Sequence, residues 1–217
     1  VGTDGSGSKL IILRNFDENR NIVSPTDRQR LNNLANQEWH SDSSFKKIPS
    51  KMSILSAKMI PSLGGNTEFL SMRAGYNALP QELKLKIDDK ICWHDYSHGR
   101  SKIDPNLVTP EEKQTLPPVK QKLVLSDNKH GKSLYLGAHC RNVDGMSEND
   151  SNALLAEIKS YIDTEKFIYS HVWEPFDLIM WDNRAVLHRA TPIKGKIEKR
   201  LMVRTTVAGK TSTINEY

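Results

Sequence analysis

Residues 39–45 read Trp39-His40-Ser41-Asp42-Ser43-Ser44-Phe45, and a second histidine stands far downstream in Trp181-Asp182-Asn183-Arg184-Ala185-Val186-Leu187-His188-Arg189. Two histidines and one carboxylate on one side of an ion form the facial ligand set of mononuclear non-heme iron(II) sites. The residue types suit the ion. Iron(II) accepts imidazole nitrogen and carboxylate oxygen, and a single carboxylate partly offsets its charge in a dry pocket. Three ligands on one face leave three positions open, two for a bidentate 2-oxo acid and one for dioxygen. In an extended segment, residues two apart point to one face, so the pattern predicts a strand that carries His40 and Asp42 to one ion. His-x-Asp alone is also the pattern of a surface pair or a satisfied histidine, and the rest of the chain decides between them.

The chain has 217 residues, enough for one domain with a sizeable core. Its 37% hydrophobic and 26% charged residues are ordinary for a soluble globular protein. No apolar run approaches membrane-spanning length, so no membrane partner is expected. The opening Val1-Gly2-Thr3-Asp4-Gly5-Ser6-Gly7-Ser8-Lys9 has no Met and no signal-peptide pattern. It reads as a loop of a single domain, residues 1–217, that continues upstream and lacks part of its N-terminal region. Gly7 is followed by Ser8 rather than Lys and no strand precedes it, which argues against a phosphate loop. Cys92 and Cys140 lack metal spacing and read as reduced thiols of a cytoplasmic protein. The formal net charge is +5, but the lysines are scattered and no basic run alternates with aromatics. A solvated surface is therefore favoured over a nucleic-acid partner, and part of the excess would attract small anions.

Short apolar or alternating segments predict strands at residues 10–13, around His40, and at 51–60, 67–70, 91–96, 119–125, 133–136, 166–173, 177–181, 185–190 and 199–207. Residues 71–79 read as a helix with Met72, Tyr76 and Leu79 on one face. The next runs to about residue 89 with Pro80 at its first position. Ser147 and Asp150 begin a further helix, whose apolar face is Leu154, Leu155, Ile158, Tyr161 and Ile162. Residues 97–118 are polar and proline-bearing and read as a long surface loop. Many short strands with few helices predict a mainly β fold with helical insertions, a double-stranded β-helix or jelly roll, which houses metal sites well.

Three stretches carry a resemblance. They are Asn36-Gln37-Glu38-Trp39-His40-Ser41-Asp42-Ser43-Ser44-Phe45, Gly64-Gly65-Asn66-Thr67-Glu68-Phe69, and Met180-Trp181-Asp182-Asn183-Arg184 with Leu187-His188-Arg189. Together they resemble the TauD/TfdA family of Fe(II)- and 2-oxoglutarate-dependent dioxygenases over nearly everything from Leu10 to Val207. Ser41-Asp42-Ser43-Ser44-Phe45 and Thr67-Glu68-Phe69 are more similar to the 2,4-dichlorophenoxyacetate branch than to the taurine branch. The resemblance implies His40, Asp42 and His188 as iron ligands, and Fe(II), 2-oxoglutarate and dioxygen as cofactor and cosubstrates. Thr67 matches the hydroxyl that contacts the 2-oxoglutarate carboxylate. Arg200 matches the arginine that pairs with its far carboxylate, a task suited to a planar guanidinium. The interval from His188 is one residue longer than in the taurine branch, which leaves Lys199 as a poorer match. Asn36 matches a position near 2-oxoglutarate and substrate. Trp181 walls the site by resemblance, or is simply a core tryptophan.

Arg204 lies four residues after Arg200, on the same face of a strand, and is implied as a contact for an anionic substrate or for the cosubstrate. Ser43, within the iron motif, and His139, in Gly137-Ala138-His139, are implied substrate contacts; a satisfied structural histidine is the other reading of His139. The implied reaction hydroxylates a small organic anion, with an aryloxyalkanoate-like carboxylate favoured, while 2-oxoglutarate is decarboxylated to succinate. Hydroxylation beside an ether oxygen would let the product collapse and the ether break. A taurine, alkylsulfonate or alkyl sulfate dioxygenase and a non-catalytic metal-binding jelly-roll module are the alternatives. The family often self-associates, so a homo-oligomer is expected. Both histidines must be neutral to bind metal, so iron affinity should fall in acid. His94 and His98, four apart, would make a rival metal pair only on a helix.

Overall fold

The computed structural model describes residues 8–195 and 197–215. The Gly/Ser-rich opening, residues 1–7, lies outside the described residues. In chain order, β1 (Ile11–Arg14) and α1 (Arg28–Ala35) lead into the His40 segment, and β2 (Ser50–Met59) and β3 (Thr67–Ser71) follow it. Then come α2 (Met72–Ala78), α3 (Gln81–Ile87), β4 (Ile91–His94), α4 (Tyr96–Arg100) and α5 (Pro110–Thr115). Next are β5 (Val119–Lys122), β6 (Val124–Asp127), β7 (Gly131–Leu134) and β8 (Cys140–Val143). The chain closes with α6 (Glu148–Ile162), β9 (Ile168–His171), β10 (Leu178–Asp182), β11 (Val186–Ala190) and β12 (Leu201–Ala208).

Alternation along β2 builds the first layer. Ser53, Leu55 and Ala57 are buried while their neighbours are partly exposed, as expected for a strand with one face to a core. β2 sits inside an antiparallel sheet of order β1-β12-β2-β10. Cross-strand register puts Trp181, Ser53 and Thr206 in one inward row and Ile179, Leu55, Arg204 and Ile11 in the next. Register slips occur near Lys58 and Lys51, with the extra residue on β2 each time, so β12 keeps its parity. The second layer is the sheet β11-β3-β9. Its inward face carries Phe69 and His188, which are register partners, and Thr67. Leu55, Ala57, Phe69, Trp173, Trp181 and Met202 form the dry seam between the two sheets.

The other face of β11-β3-β9 is covered by helices. Leu70 and Leu187 pack with Met72 and Tyr76 of α2, Leu83 and Ile87 of α3, and Leu154, Ile158 and Ile162 of α6 in the largest core. The caps follow the sequence rules: Ser71 accepts from Ala74 N and Ser147 from Asp150 N. Pro80 stands one place earlier than expected, as the N-cap of α3. Cys92 and Cys140 are buried and free.

Residues 97–118 differ from expectation. They are not one loop but carry most of α4 and the whole of α5, and Leu107 and Val108 are buried. Thr109 and Glu112 form a reciprocal capping box with Pro110 at the start of α5. The segment is held in place because Val108 packs with Phe45 and Tyr96 in a small core beside the His40 motif.

Candidate metal centre and active site

His40 and Asp42 do not lie on a strand together, a correction to the expected extended pair. Residues 36–40 run along the free edge of β11. Asn36 O accepts from Ala190 N at 2.9 Å, and His40 and His188 exchange backbone hydrogen bonds of 3.0 and 2.9 Å. The chain then turns, and Asp42 is carried in by the turn rather than by strand parity. Ser43 takes a left-handed φ of 55° inside it, a conformation that costs a non-glycine residue on the order of 1–3 kcal/mol. The result still brings the three side chains together. His40 Nε2 lies 3.9 Å from Asp42 Oδ1 and His188 Nε2 lies 3.7 Å from Asp42 Oδ2. One ligand atom from each falls within 4.8 Å of the others, and all three residues are buried.

The donor set fits a divalent ion that prefers nitrogen and carboxylate. His40 Nδ1 lies 2.8 Å from Glu38 O, which assigns the proton to Nδ1 and leaves the Nε2 lone pair facing Asp42. Burial lowers the pKa of His40 and drives that of His188 further below its usual value, so both rings are neutral at neutral pH. Burial pushes the Asp42 carboxyl up, but the Arg204 guanidinium and the Ser53 hydroxyl outweigh it, and its pKa falls well below the carboxylate range. The site therefore offers two neutral imidazoles and one anion.

A buried network holds that anion. Ser53 Oγ donates to Asp42 Oδ2 at 2.6 Å and Arg204 Nη1 donates to Oδ1 at 2.5 Å. Asn183 Nδ2 donates to Ser53 Oγ at 2.8 Å, and Asn183 Oδ1 accepts from Asp42 N and Trp181 Nε1 at 3.3 and 3.0 Å. Ser41 Oγ adds a bond to Asn183 O. Sequence reasoning passed over Ser53 and Asn183. Asn183 stood in the Trp181-Asp182-Asn183-Arg184 run, and Ser53 was a polar residue at an inward position of β2, where a side chain needs a buried partner.

A cavity of about 550 Å³ opens beside the triad, lined by His40, His188, Asn36, Thr67, Trp181, Arg200 and Arg204 among others. The expected cosubstrate residues thus share one space, and Arg200 and Arg204 both reach it; Lys199 is not among its walls. Arg200 precedes β12, and its Nε donates to Gly65 O at 3.2 Å. Burial brings its pKa down to about 10, which still leaves a cation at neutral pH. Thr67 Oγ1 accepts from Trp173 Nε1 at 3.1 Å. The Trp181 ring packs 4.7 Å from His188 and 5.3 Å from Phe69, so it is core and cavity wall at once. His139 and Ser43 line a separate small chamber on the Asp42 side, together with Arg100. His94 and His98 do not pair on a helix: His94 is buried in β4, stacked on Tyr135, and His98 belongs to α4. Among the described residues, His40, Asp42 and His188 are the one cluster able to hold a metal.

Two facing sheets with a buried His-Asp-His set at one end define a mononuclear non-heme metalloenzyme of the facial-triad class. The family model "Taurine catabolism dioxygenase TauD, TfdA family" matches residues 9–206, and the chain belongs to that family. It is 34% identical over 201 residues to the alpha-ketoglutarate-dependent 2,4-dichlorophenoxyacetate dioxygenase of Burkholderia sp. (strain RASC), covering 92% of this chain and 68% of that one. It is 30% identical over 181 residues to the (S)-phenoxypropionate/alpha-ketoglutarate-dioxygenase of Sphingobium herbicidovorans, covering 80% and 63%. The crystal structure of AAD-2 in complex with Mn(II) and N-oxalylglycine superposes with a TM-score of 0.88 at 40% identity, over 94% of this chain and 75% of that one. The protein is an Fe(II)- and 2-oxoglutarate-dependent dioxygenase that acts on a small organic substrate. No helix among the described residues is long and apolar enough to cross a membrane.

Proposed function

We propose that this dioxygenase hydroxylates a small organic anion, an aryloxyalkanoate-like carboxylate, next to its ether oxygen. The observation that carries the reading is the pair of cations, Arg200 and Arg204, that share one cavity with His40, His188 and Thr67. His40, Asp42 and His188 would hold the iron, which supplies the activation of dioxygen. Arg200 would take the far carboxylate of 2-oxoglutarate in a bidentate grip, with the Thr67 hydroxyl at the same molecule. Trp181 and Phe69 exclude water from that side, and Asn36 borders both cosubstrate and substrate. Arg204, Ser43 and His139 would face the substrate. Per turnover, 2-oxoglutarate, dioxygen and substrate C–H become succinate, carbon dioxide and C–OH. If that carbon carries an aryl ether oxygen, the hemiacetal breaks to a phenol and a 2-oxo acid. No group of the chain has to act as a general base for the hydroxylation. The names of the two phenoxyalkanoate-specific relatives support this substrate class over sulfonates.

The same reading takes the two facing sheets as the halves of a double-stranded β-helix, and the free, buried Cys92 and Cys140 as fitting a cytoplasmic location. Self-association belongs to it as well. The outer face of β1-β12-β2-β10 leaves Ile12, Leu178, Met180 and Val207 exposed. The test is an anaerobic titration with Fe(II) and then 2-oxoglutarate, followed by visible absorption. A charge-transfer band that His188→Ala removes, together with succinate release on adding phenoxyacetate, is the expected result. A folded, iron-loaded protein with no band overturns the reading.

A further inference from the structure

The small chamber on the Asp42 side is rich in donors. Arg100, Arg204, His139, Asn36 and Ser43 line it together with Asp42 and His40 of the triad, and Phe45 forms an apolar wall. Its volume is about 30 Å³, room for a carboxylate head and too little for an aryl ring. Arg100 reaches it from the end of α4. Its Nε donates to Asn32 Oδ1 at 3.3 Å, and its guanidinium lies 4.1 Å from the centre of the Tyr96 ring. Burial pulls its pKa down from the ordinary guanidinium value. Among the described residues no carboxylate stands within ion-pair distance of it. Arg204 gives one nitrogen to Asp42, but its Nε is buried with no hydrogen-bond partner among the described residues, and so is His139 Nδ1. Asp42 balances one of the two cations, and the remaining positive charge with the unmet Arg204 Nε and His139 Nδ1 is costly to bury unless a further acceptor completes it. Arg200 and Thr67, in contrast, face only the larger cavity.

From this arrangement we infer that the chamber receives the carboxylate of the organic substrate, and that Arg100, paired with Arg204, selects a carboxylate over a neutral group. The inference rests on the dioxygenase reading above and adds a residue that no motif identifies. Asn36, His40 and Arg204 line both spaces, so a substrate anchored there has the larger cavity beside it for the rest of the molecule. His139, held neutral by burial and set edge-on to Phe45 at 4.8 Å, offers Nδ1 to the same anion.

The test compares wild type, Arg100→Gln and Arg100→Lys, iron-loaded and saturated with 2-oxoglutarate, on phenoxyacetate and on its neutral amide, by succinate release. Arg100→Gln should raise KM for the acid about 10- to 100-fold, remove the preference for acid over amide, and leave KM for 2-oxoglutarate within about twofold. Arg100→Lys should fall between, because it keeps the charge and loses the fork. The same ordering should appear in the phenoxyacetate concentration that shifts the visible band anaerobically, which reads binding without turnover. Three results overturn the inference: an unchanged acid-to-amide ratio in Arg100→Gln, an equal loss on both substrates, or a loss that falls on 2-oxoglutarate. If Arg100→Gln does not fold, Arg100→Lys and the wild-type ratio carry the decision, and a wild type indifferent to the charge overturns it. A wild type that forms the 2-oxoglutarate band and turns over while ignoring Arg100 sinks this inference alone. A wild type without the band sinks the dioxygenase reading and this inference with it.

Discussion

His40 and His188 donate to each other's carbonyls, at 3.0 and 2.9 Å, and so lock two candidate iron ligands across a single backbone bridge. Their ring centroids lie 4.2 Å apart in consequence. The spacing of the two imidazoles is set by main chain, which has few degrees of freedom. Only Asp42, on its turn, depends on side-chain contacts for its aim.

That dependence makes Ser53 the point to test. Ser53→Ala removes the 2.6 Å bond to Asp42 Oδ2 and leaves Asn183 Nδ2 short of an acceptor. Manganese(II) affinity, read by electron paramagnetic resonance titration, should fall about 10- to 100-fold, as for other residues that orient metal ligands. The melting temperature of metal-free protein should drop by only a few degrees. An unchanged affinity would show that Arg204 alone aims the carboxylate.

Arg200→Gln should weaken 2-oxoglutarate binding about 10- to 100-fold, with iron binding retained, as expected for loss of the proposed charge-assisted carboxylate pair. Arg200→Lys should recover part of it, being a point charge in place of a fork. Calorimetric titration of 2-oxoglutarate into iron-loaded protein measures both. Equal affinity in all three proteins would move the cosubstrate to another residue.

Gly65 supports the same arginine. Its φ is 69°, and a Cβ there would meet Pro61 Cγ at 2.9 Å and Arg200 Cδ at 3.4 Å. Gly65→Ala should therefore cost about 1–3 kcal/mol in stability by denaturant titration and weaken 2-oxoglutarate binding as well. A variant as stable as wild type would mean that the turn relaxes without strain.

His94 gives the chain an acid weakness away from the site. Burial lowers its pKa from 6.5 to about 4. The unfolded chain then binds a proton that the folded one refuses, so the stabilising contribution is complete above pH 6.5, declines as pH falls, and is gone near pH 4. The integrated loss is roughly 3 kcal/mol. The urea midpoint should fall less steeply between pH 6.5 and 4 in His94→Leu than in wild type. Parallel slopes would falsify the assignment of this loss to His94.

β2 was legible as a strand, but not which face of it turns inward: the conspicuously apolar Met52 and Ile54 are partly exposed, while Ser53, Leu55 and Ala57 are buried. The triad was legible as residue types, though its geometry was not: His40 and Asp42 follow a bridge and a turn, where strand parity does not apply. Residues 97–118 were misread because their prolines and charges dominate the composition. The local signal for α5 was nevertheless present in Thr109-Pro110-Glu111-Glu112, a capping box with proline behind the cap. Arg100 left no signal at all. An arginine in a polar run is indistinguishable from a solvated one until the fold turns it inward.

The pairing of β1 with β12 sets a timetable. Ile11 lies opposite Arg204, so β1 is made about 190 residues before its partner exists, roughly 10–40 s at ordinary rates of synthesis. Through that interval β2 lacks its central neighbour, and neither Arg200 nor Arg204 has been made. The turn that carries Asp42 is thus made long before β12, and the guanidinium that holds its carboxylate arrives only with that strand.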